Sequence, residues 1–214
     1  MKAFWSAALV AALLVWPLQA GQRARLFPPE NLGELEGPDR DAWQRPDQVM
    51  DALSISEASV VADLGAGGGW FTVRLARRVG PNGHVFAEDI QREMVEAIDR
   101  RVQREQLRNV TTKLGTPVDP KLDPKSVDAV LIVDAYHEIE QPVMLLKNVV
   151  KALKPDGMLG IVNFKKDGGG PGPAMEVRVD PEKVIADARA AGLELRKREN
   201  LRYQYLLTFG VPPK

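Results

Sequence analysis

The sequence contains no cysteine, only two histidines and no excess charge of either sign. Without cysteine the chain cannot form a disulfide, a thiolate zinc site, an iron–sulfur cluster or a cysteine nucleophile. Two histidines are too few for a histidine-rich metal site, and His84, at the start of a predicted strand, is interpreted as structural. Because 29 basic residues balance 29 acidic ones, the charge does not indicate a nucleic-acid partner. The length of 214 residues allows one domain with a full core.

The first twenty residues differ in composition from the rest of the chain. A single charge, Lys2, precedes a run over residues 3–16 in which only one residue is polar. That run is shorter than the roughly 20 residues of a membrane-spanning helix, and the Pro17 and Ala20 that follow it are typical of a secretory signal peptide. We therefore expect residues 1–20 to be a signal peptide and the mature protein to be exported, periplasmic or extracellular. One alternative is an uncleaved membrane anchor, in which case this segment alone contacts the membrane. The other is an apolar helix packed on the domain.

From residue 21 onward, predicted strands and helices alternate. Residues 21–39, rich in proline, glycine and charge, are interpreted as an extended lead-in, and Asp39 is a candidate cap for a helix over 40–53. The predicted strands span 60–64, 84–87, 110–114, 127–133, 158–164, 193–197 and 203–209, and the other predicted helices span 70–78, 91–104, 142–153 and 181–191. The alternation predicts a parallel α/β sheet in a domain over 40–214, with the last two strands as an antiparallel hairpin at one edge.

The glycine-rich segment after the first predicted strand is the strongest candidate for a ligand site. Residues 63–69 read Asp-Leu-Gly-Ala-Gly-Gly-Gly, and glycines between a strand and a helix let a ligand contact the backbone. Asp63 is a carboxylate in an otherwise apolar strand, so we expect it to accept hydrogen bonds from the loop or from a ligand. Glu88 and Asp89 end the second predicted strand, where an acidic residue binds a ribose diol in dinucleotide-binding folds. The glycines alone also fit a nicotinamide-binding fold or a simple tight turn.

Four motifs, in order, resemble those of the class I S-adenosylmethionine-dependent methyltransferases. Residues 63–69 match the glycine motif of that family, 85–90 its second motif, 127–134 its fourth strand and 153–159 the turn before its fifth strand. The resemblance covers roughly residues 40–210 and implies a Rossmann-like, doubly wound sheet of seven strands, mostly parallel with a C-terminal antiparallel edge strand. It also implies S-adenosylmethionine as the cofactor. The cofactor-binding residues that it implies are Asp63, Gly65, Ala66, Gly67, Gly69, Glu88, Asp89, Ile90, Thr116 and Asp134, with Asp89 on the ribose hydroxyls.

One position departs from the family pattern. The family often has an acidic residue after the third strand, beside the adenine, where this chain has Gly115-Thr116-Pro117. Thr116 can hydrogen-bond the adenine in its place, and Asp119 is a weaker candidate.

The segment after the fourth predicted strand carries the candidate catalytic residues. Residues 134–138 include Asp134, Tyr136, His137 and Glu138, and they follow the carboxyl end of a strand, where ligands bind in open α/β sheets. We interpret His137 as a candidate general base because its ordinary pKa is near neutral, with a structural or cofactor-packing role as the alternative. Asp134 and Tyr136 are its candidate catalytic partners, with Tyr136 and His137 expected nearest the transferred methyl group.

Other residues argue against particular subclasses of methyltransferase. Residues 134–136 lack the two prolines of the turn used by enzymes that methylate amino groups of DNA or glutamine. Val162 stands beside Asn163 where metal-dependent catechol-type enzymes have an aspartate, so no metal site is predicted.

Two further segments are expected to lie near the site. Trp43 and Arg45 lie on the predicted N-terminal helix, which covers the site in the family, and are interpreted mainly as packing and surface residues. Residues 168–173 are interpreted as a mobile loop that closes over the pocket.

These observations favour an enzyme that transfers a methyl group from S-adenosylmethionine to an unidentified small-molecule acceptor. The alternative is an exported, non-catalytic protein that binds S-adenosylmethionine, since this cofactor is made in the cytosol. A nicotinamide oxidoreductase is a third hypothesis, but the glycine spacing fits it poorly and no Tyr-x-x-x-Lys motif follows. The residues predict neither the acceptor nor the oligomeric state.

Overall fold

The structure, a computed structural model, describes residues 26–212. The predicted signal peptide and residues 21–25 of the predicted lead-in lie outside this range. Within it, none of the helices combines the length and the apolar character needed to cross a membrane.

The described chain is built around one seven-stranded sheet. The strands are β1 Val60–Leu64, β2 His84–Asp89, β3 Val110–Leu114, β4 Val127–Val133, β5 Leu153–Phe164, β6 Glu194–Asn200 and β7 Gln204–Gly210. Their order across the sheet is β3-β2-β1-β4-β5-β7-β6, and β7 alone runs in the direction opposite to the other six strands. The predicted fold class is thereby confirmed, with one difference in detail: the hairpin lies at an edge as expected, but its antiparallel strand is the inner one. The outermost strand is β6.

Helices cover both faces of the sheet. They are α1 Arg40–Gln44, α2 Pro46–Ala52, α3 Trp70–Val79, α4 Arg92–Arg104, α5 Pro142–Ala152 and α6 Pro181–Ala190. On one face, α5 and α6 pack against apolar strand residues such as Ile132 and Leu207. On the other, α2 and α3 pack against Leu131 and Val162. Because strands buried on both faces need mainly apolar side chains, the nearly continuous apolar runs in the sequence predicted β1 and β4 with the bounds observed.

The segment before the sheet differs from its prediction. Pro29–Glu36 forms a 3-10 helix and is therefore not an extended lead-in. The single helix expected over 40–53 is two helices, because Arg45 between them has φ +51° and precedes Pro46. A residue before proline is disfavoured in the right-handed helical region, so the break follows from the proline. Asp39 makes no capping hydrogen bond through its side chain.

The reversal of strand order between β1 and β4 positions the candidate site. Strands β2 and β4 flank β1 in parallel, with Leu64 in register with both Glu88 and Ile132. The carboxyl ends of the three strands therefore meet at one edge of the sheet. In open α/β sheets the loops on either side of such a reversal diverge and leave a crevice for a ligand.

Candidate functional site

A cavity of about 640 Å³ lies at this edge. Its size is within the range of sites for small molecules and cofactors. Its lining includes the loop after β1, the ends of β2 and β4, and the segment that precedes α1. Of the site residues predicted from the sequence, those on its wall are Asp63, Gly65, Ala66, Gly67, Glu88, Asp89, Ile90, Thr116, Asp134 and His137. The structure therefore brings together most of the residues that the motifs indicated.

Glycine is required at position 65 by backbone conformation and by space. Gly65 has φ +66°, a region that side chains with a Cβ rarely adopt. A Cβ built there would stand 2.6 Å from the Cβ of Ala135, so the loop after β1 touches the loop after β4. This close approach forms the floor of the cavity.

The loop after β1 is tied to the end of β2 by two backbone donors. The Ala66 N–H donates to the carbonyl of Glu88 at 3.0 Å, and the Gly67 N–H donates to Asp89 Oδ2 at 3.0 Å. Asp89 Oδ1 accepts a further hydrogen bond from the Gln91 N–H at 2.9 Å. The Asp89 carboxyl is thus fixed in place, and burial raises its pKa from the ordinary value.

Two predicted cofactor residues have other roles in the structure. Gly69 does not line the cavity; it precedes α3 with φ +76° and lies against Ile98 and Arg101 of α4. Thr116 does line it, but its hydroxyl oxygen accepts from the Asp119 N–H at 3.0 Å within a tight turn. The hydroxyl that was expected to meet the adenine therefore already stabilises its own loop.

Asp63 is held by a neighbour that the motif did not indicate. Its carboxyl accepts a hydrogen bond of 2.7 Å from the Thr72 hydroxyl, in the first turn of α3. Burial raises the pKa of Asp63 to about 6, although the Thr72 hydrogen bond and the Arg40 charge act in the opposite direction. The expectation that this carboxylate needs a hydrogen-bond donor is met by the helix rather than by the glycine loop.

Asp134 is the centre of a buried polar network. Its φ is +57°, and its two oxygens accept from Gln204 Nε2 at 2.5 Å and from Gln44 Nε2 at 3.3 Å. Gln44 also donates to Gln204 Oε1 at 3.0 Å, and the Arg40 guanidinium lies 3.7 Å from Asp134. Burial raises the pKa of Asp134 to about 6, with the Arg40 charge as the main opposing influence. The network joins α1, β4 and β7 at the wall of the cavity.

Tyr136 faces away from the cavity, which contradicts the expectation that it lies nearest the transferred methyl group. Its hydroxyl donates to Asp187 Oδ2 of α6 at 3.0 Å, and its ring is part of the core between the sheet and α5. Burial, together with the Asp187 charge, raises the pKa of Tyr136. Tyr136 and His137 belong to a short 3-10 helix, Tyr136–Glu138, in which successive side chains point in different directions.

His137 lines the cavity with its ring largely buried. Its Nδ1 is buried without a hydrogen-bond partner within residues 26–212, and its Nε2 lies 3.6 Å from Glu138 Oε1. Burial lowers the pKa of His137, so the ring is neutral at physiological pH. Glu138 accepts from the Phe27 N–H at 3.0 Å, and burial raises its pKa to about 7. These two side chains can together hold and release a proton at the cavity wall.

The segment before α1, residues 26–39, covers the cavity from the N-terminal side. Gln91 Nε2 donates to the Phe27 carbonyl at 3.1 Å. The Arg101 guanidinium donates both to the Gly68 carbonyl, at 2.8 Å, and to the Glu36 carboxylate, at 2.5 Å. The lining residue Trp43 packs at 5.6 Å from Phe164, ring centre to ring centre, whereas Arg45 is exposed and does not line the cavity. Sequence reasoning missed this cover because nothing in a proline-rich lead-in indicates what it packs against.

The loop predicted to be mobile is fixed to the cavity wall by one buried side chain. Arg178, 5% exposed, donates to the carbonyls of Lys165, Gly169 and Pro173, each at 2.9 Å. Pro171, Gly172 and Pro173 line the cavity beside Phe164. The loop therefore already forms part of the cavity wall beside Phe164.

Residues 26–212 contain no group of three or more His, Asp or Glu side chains placed to hold a metal ion. Asn163, considered as a possible metal ligand, is buried in β5 and does not line the cavity.

Together, the sheet order, the glycine loop and the acidic end of β2 define a Rossmann-like protein with a site for an adenosine-containing cofactor. Comparison with known proteins identifies more closely which proteins of this class the chain is similar to. Residues 61–157 match the family model described as "Methyltransferase domain". A solved S-adenosylmethionine-dependent methyltransferase from Aquifex aeolicus is 26% identical, with a TM-score of 0.82, and the match covers 86% of this chain and 98% of that one.

Curated relatives agree with this result over part of their length. A demethylmenaquinone methyltransferase of Lactobacillus johnsonii is 27% identical over 58% of this chain and 50% of its own. An uncharacterised methyltransferase of Mycobacterium tuberculosis is 37% identical over 57% of this chain and 46% of its own. The chain thus spans about half the length of these relatives. The resemblance drawn from the motifs is confirmed to this extent: residues 61–157 match a methyltransferase domain, and the described fold is similar to that of a solved S-adenosylmethionine-dependent methyltransferase.

Proposed function

We propose that this protein transfers a methyl group from S-adenosylmethionine to a small-molecule acceptor. The observation that carries the proposal is the set of carboxyl groups that line this one cavity, among them Asp63, Glu88, Asp89, Asp134 and Glu138. Arg40 is the only lysine or arginine among the described lining residues. Such a cavity favours a cationic ligand, because a nearby positive charge stabilises each carboxylate.

S-adenosylmethionine fits this cavity better than a nicotinamide dinucleotide does. Its sulfonium and ammonium groups outweigh its one carboxylate, so it carries a net positive charge, whereas a dinucleotide brings an anionic pyrophosphate. The residues proposed to hold it are Gly65, Ala66 and Gly67 through the backbone, Asp89 at the ribose hydroxyls and Ile90 against the adenine. Asp63 and Asp134 supply negative charge on the β1 and β4 side.

The cofactor, when bound, supplies a methyl group that is already activated. The chain has to orient the acceptor, exclude water and accept a proton where the acceptor is a hydroxyl or an ammonium group. His137 is the proposed base, because its neutral ring faces the cavity with one nitrogen unpaired. Asp134, tied to Gln44 and Gln204, is proposed to fix the loop that carries His137. Tyr136 is not proposed as a catalytic residue, because its hydroxyl donates to Asp187 away from the cavity.

A small molecule is the proposed acceptor class because the cavity is covered on two sides. Residues 26–39 close one side, and the loop held by Arg178 closes the other. The relative from Lactobacillus johnsonii is named for demethylmenaquinone, which is also a small molecule. The N-terminal apolar run supports the further proposal that the protein is exported; a non-catalytic role for an exported cofactor-binding protein remains the alternative.

Methyl transfer can be tested without knowing the acceptor. The protein is incubated with S-adenosylmethionine labelled in the methyl group and with fractions of a metabolite extract from its host. The proposal expects S-adenosylhomocysteine to accumulate in at least one fraction, in step with a labelled small molecule, and not with the Asp89→Ala variant. Tight cofactor binding without transfer in any fraction would favour the non-catalytic alternative.

A further inference from the structure

Glu88 is a buried carboxyl group with an unused acceptor. The residue is 4% exposed, and Oε1 is buried without any hydrogen-bond partner among the described residues. A buried polar atom in this state loses its interaction with water and gains nothing in return, which is costly. Because Glu88 lines the cavity, the missing partner can be supplied by a bound molecule.

The neighbouring strand makes room for this carboxyl. A Cβ built on Gly115, just after β3, would overlap Glu88 Oε1. Any other residue at position 115 would therefore displace the Glu88 side chain. Glycine at this position keeps the space that the acid occupies between the ends of β2 and β3.

The other polar side chains that could meet a ligand at this end of the cavity already have hydrogen-bond or ionic partners within the protein. The Thr116 hydroxyl is bound within its own turn. Asp119 accepts from the Lys121 N–H at 2.9 Å, forms an ion pair with its ammonium group at 3.2 Å and does not line the cavity. Asp119 is therefore not a substitute for the acidic residue missing after β3. Among the described lining residues here, Glu88 has the free acceptor.

The place of Glu88 relative to Asp89 indicates what would reach it. Asp89, next along β2, is proposed to bind the ribose, and the glycine loop lies on the β1 side of it. The base attached to that ribose then extends toward β3, where Ile90 and Pro117 offer apolar surfaces for a flat ring. An exocyclic amine on the edge of such a ring is the type of donor that Oε1 lacks.

We propose that Glu88 accepts a hydrogen bond from the exocyclic amine of the cofactor's adenine and makes the site selective for adenine. This inference rests on the proposed function, since it assumes S-adenosylmethionine in the cavity. Burial, and next the neighbouring Asp89, raise the pKa of Glu88 to about 8. At neutral pH its carboxyl therefore carries one O–H donor beside the acceptor and can also meet a ring nitrogen of adenine.

The test compares two ligands by calorimetry at pH 7. One is S-adenosylhomocysteine, and the other is its purine analogue, in which a hydrogen atom replaces the exocyclic amine. The native protein should prefer the adenine ligand by about tenfold or more, because the analogue leaves the buried Glu88 acceptor without a donor. In Glu88→Ala the preference should fall to within about threefold. Glu88→Leu, which fills the volume without a polar atom, serves if the alanine variant does not fold.

Two controls separate recognition from structure. Glu88→Gln keeps a donor and an acceptor in the same shape and should retain most of the preference for adenine. Glu140→Ala, at the exposed rim of the same cavity, should leave the preference unchanged. A preference that persists in both Glu88→Ala and Glu88→Leu would overturn the inference, as would an equal loss of affinity for the two ligands. If the native protein binds neither ligand, the proposed function itself fails, and that outcome is distinct from the other two.

Discussion

Asp63 shows how one buried carboxyl controls stability in this cavity. Its pKa is raised to about 6, chiefly by burial, above an unfolded value near 4. Between these two values the folded chain keeps a proton that the unfolded chain has lost. The protonated Asp63 carboxyl therefore makes its full contribution to the free energy of unfolding below about pH 4, and this contribution is lost as the pH rises through about 6.

The Asp63→Asn variant isolates this effect. Asparagine still accepts from Thr72 but does not ionise, so the native protein should lose on the order of 2 kcal/mol of unfolding free energy relative to the variant between pH 4 and pH 7.5. His84 and His137, whose pKa values burial lowers, act in the opposite direction, but they are common to both proteins and cancel in the difference. Urea unfolding without cofactor measures both curves. A difference that does not change with pH would show that Asp63 is not buried as described.

His137 can be tested as a base once an acceptor has been identified. His137→Ala should lower the rate of methyl transfer in single-turnover experiments roughly 10²-fold or more and leave cofactor affinity nearly intact. His84→Ala is the matched control: its ring lies at the start of β2, 3.0 Å from the Thr111 hydroxyl and outside the cavity lining, and the rate should not change. Affinity or stability that falls together with the rate would instead assign His137 a packing role.

Residue roles were predictable only where a motif fixes the backbone. The glycine pattern and the acidic strand end located Gly65, Gly67 and Asp89 correctly at the cavity. The Gln44–Gln204 contact joins residues 160 positions apart, and no local pattern indicates it. Tyr136 was misplaced because the direction of its side chain depends on a one-turn 3-10 helix that its sequence does not indicate.

At the scale of elements, the turn between β1 and α3 is the most constrained. Gly65→Ala adds a Cβ at φ +66° and 2.6 Å from Ala135, whereas Gly169→Ala adds one at φ +56° with nothing within 4 Å. Both variants should bear the strain of the left-handed conformation, roughly 1 kcal/mol. Gly65→Ala should lose about 1–2 kcal/mol more in unfolding free energy, because the loop must move, and should weaken cofactor binding at least tenfold.

Urea unfolding and calorimetric titration of the two variants measure these effects. Equal losses of stability and of cofactor affinity in the two variants would mean that the contact with Ala135 does not matter.

The sequence already predicted this turn, since a strand, a glycine run and a helix leave few alternatives. The break at Arg45 was missed, although Pro46 contains the signal, because the apolar pattern of the helix continues across it.

For the whole molecule, alternation of strands and helices was enough to predict the fold class. Right-handed crossovers between parallel strands restrict the possible orders, and a short last connection requires an antiparallel hairpin. The insertion of β7 between β5 and β6 was not predictable from strand patterns alone. It depends on the burial of β7 along its whole length, mostly through apolar side chains, whereas β6 is mostly polar and largely exposed.

Export is a prediction about the whole chain. Because a short basic start precedes a 14-residue, almost wholly apolar run and Ala20 closes the segment, we expect protein isolated from its native host to begin near Gly21 and to lie outside the cytoplasm. N-terminal sequencing of that protein decides between cleavage and an anchor. An intact Met1 on soluble protein from the cytosol would contradict the prediction.

The central claim is that the cavity beside Gly65 binds S-adenosylmethionine, and calorimetric titration tests it most directly. The native protein should bind S-adenosylmethionine at one site and should show no comparable heat with NAD. Asp89→Ala should weaken that binding by on the order of 1.5–3 kcal/mol, as expected for loss of a charged hydrogen-bond acceptor. Absence of S-adenosylmethionine binding, tighter binding of NAD, or unchanged affinity in Asp89→Ala would contradict the account.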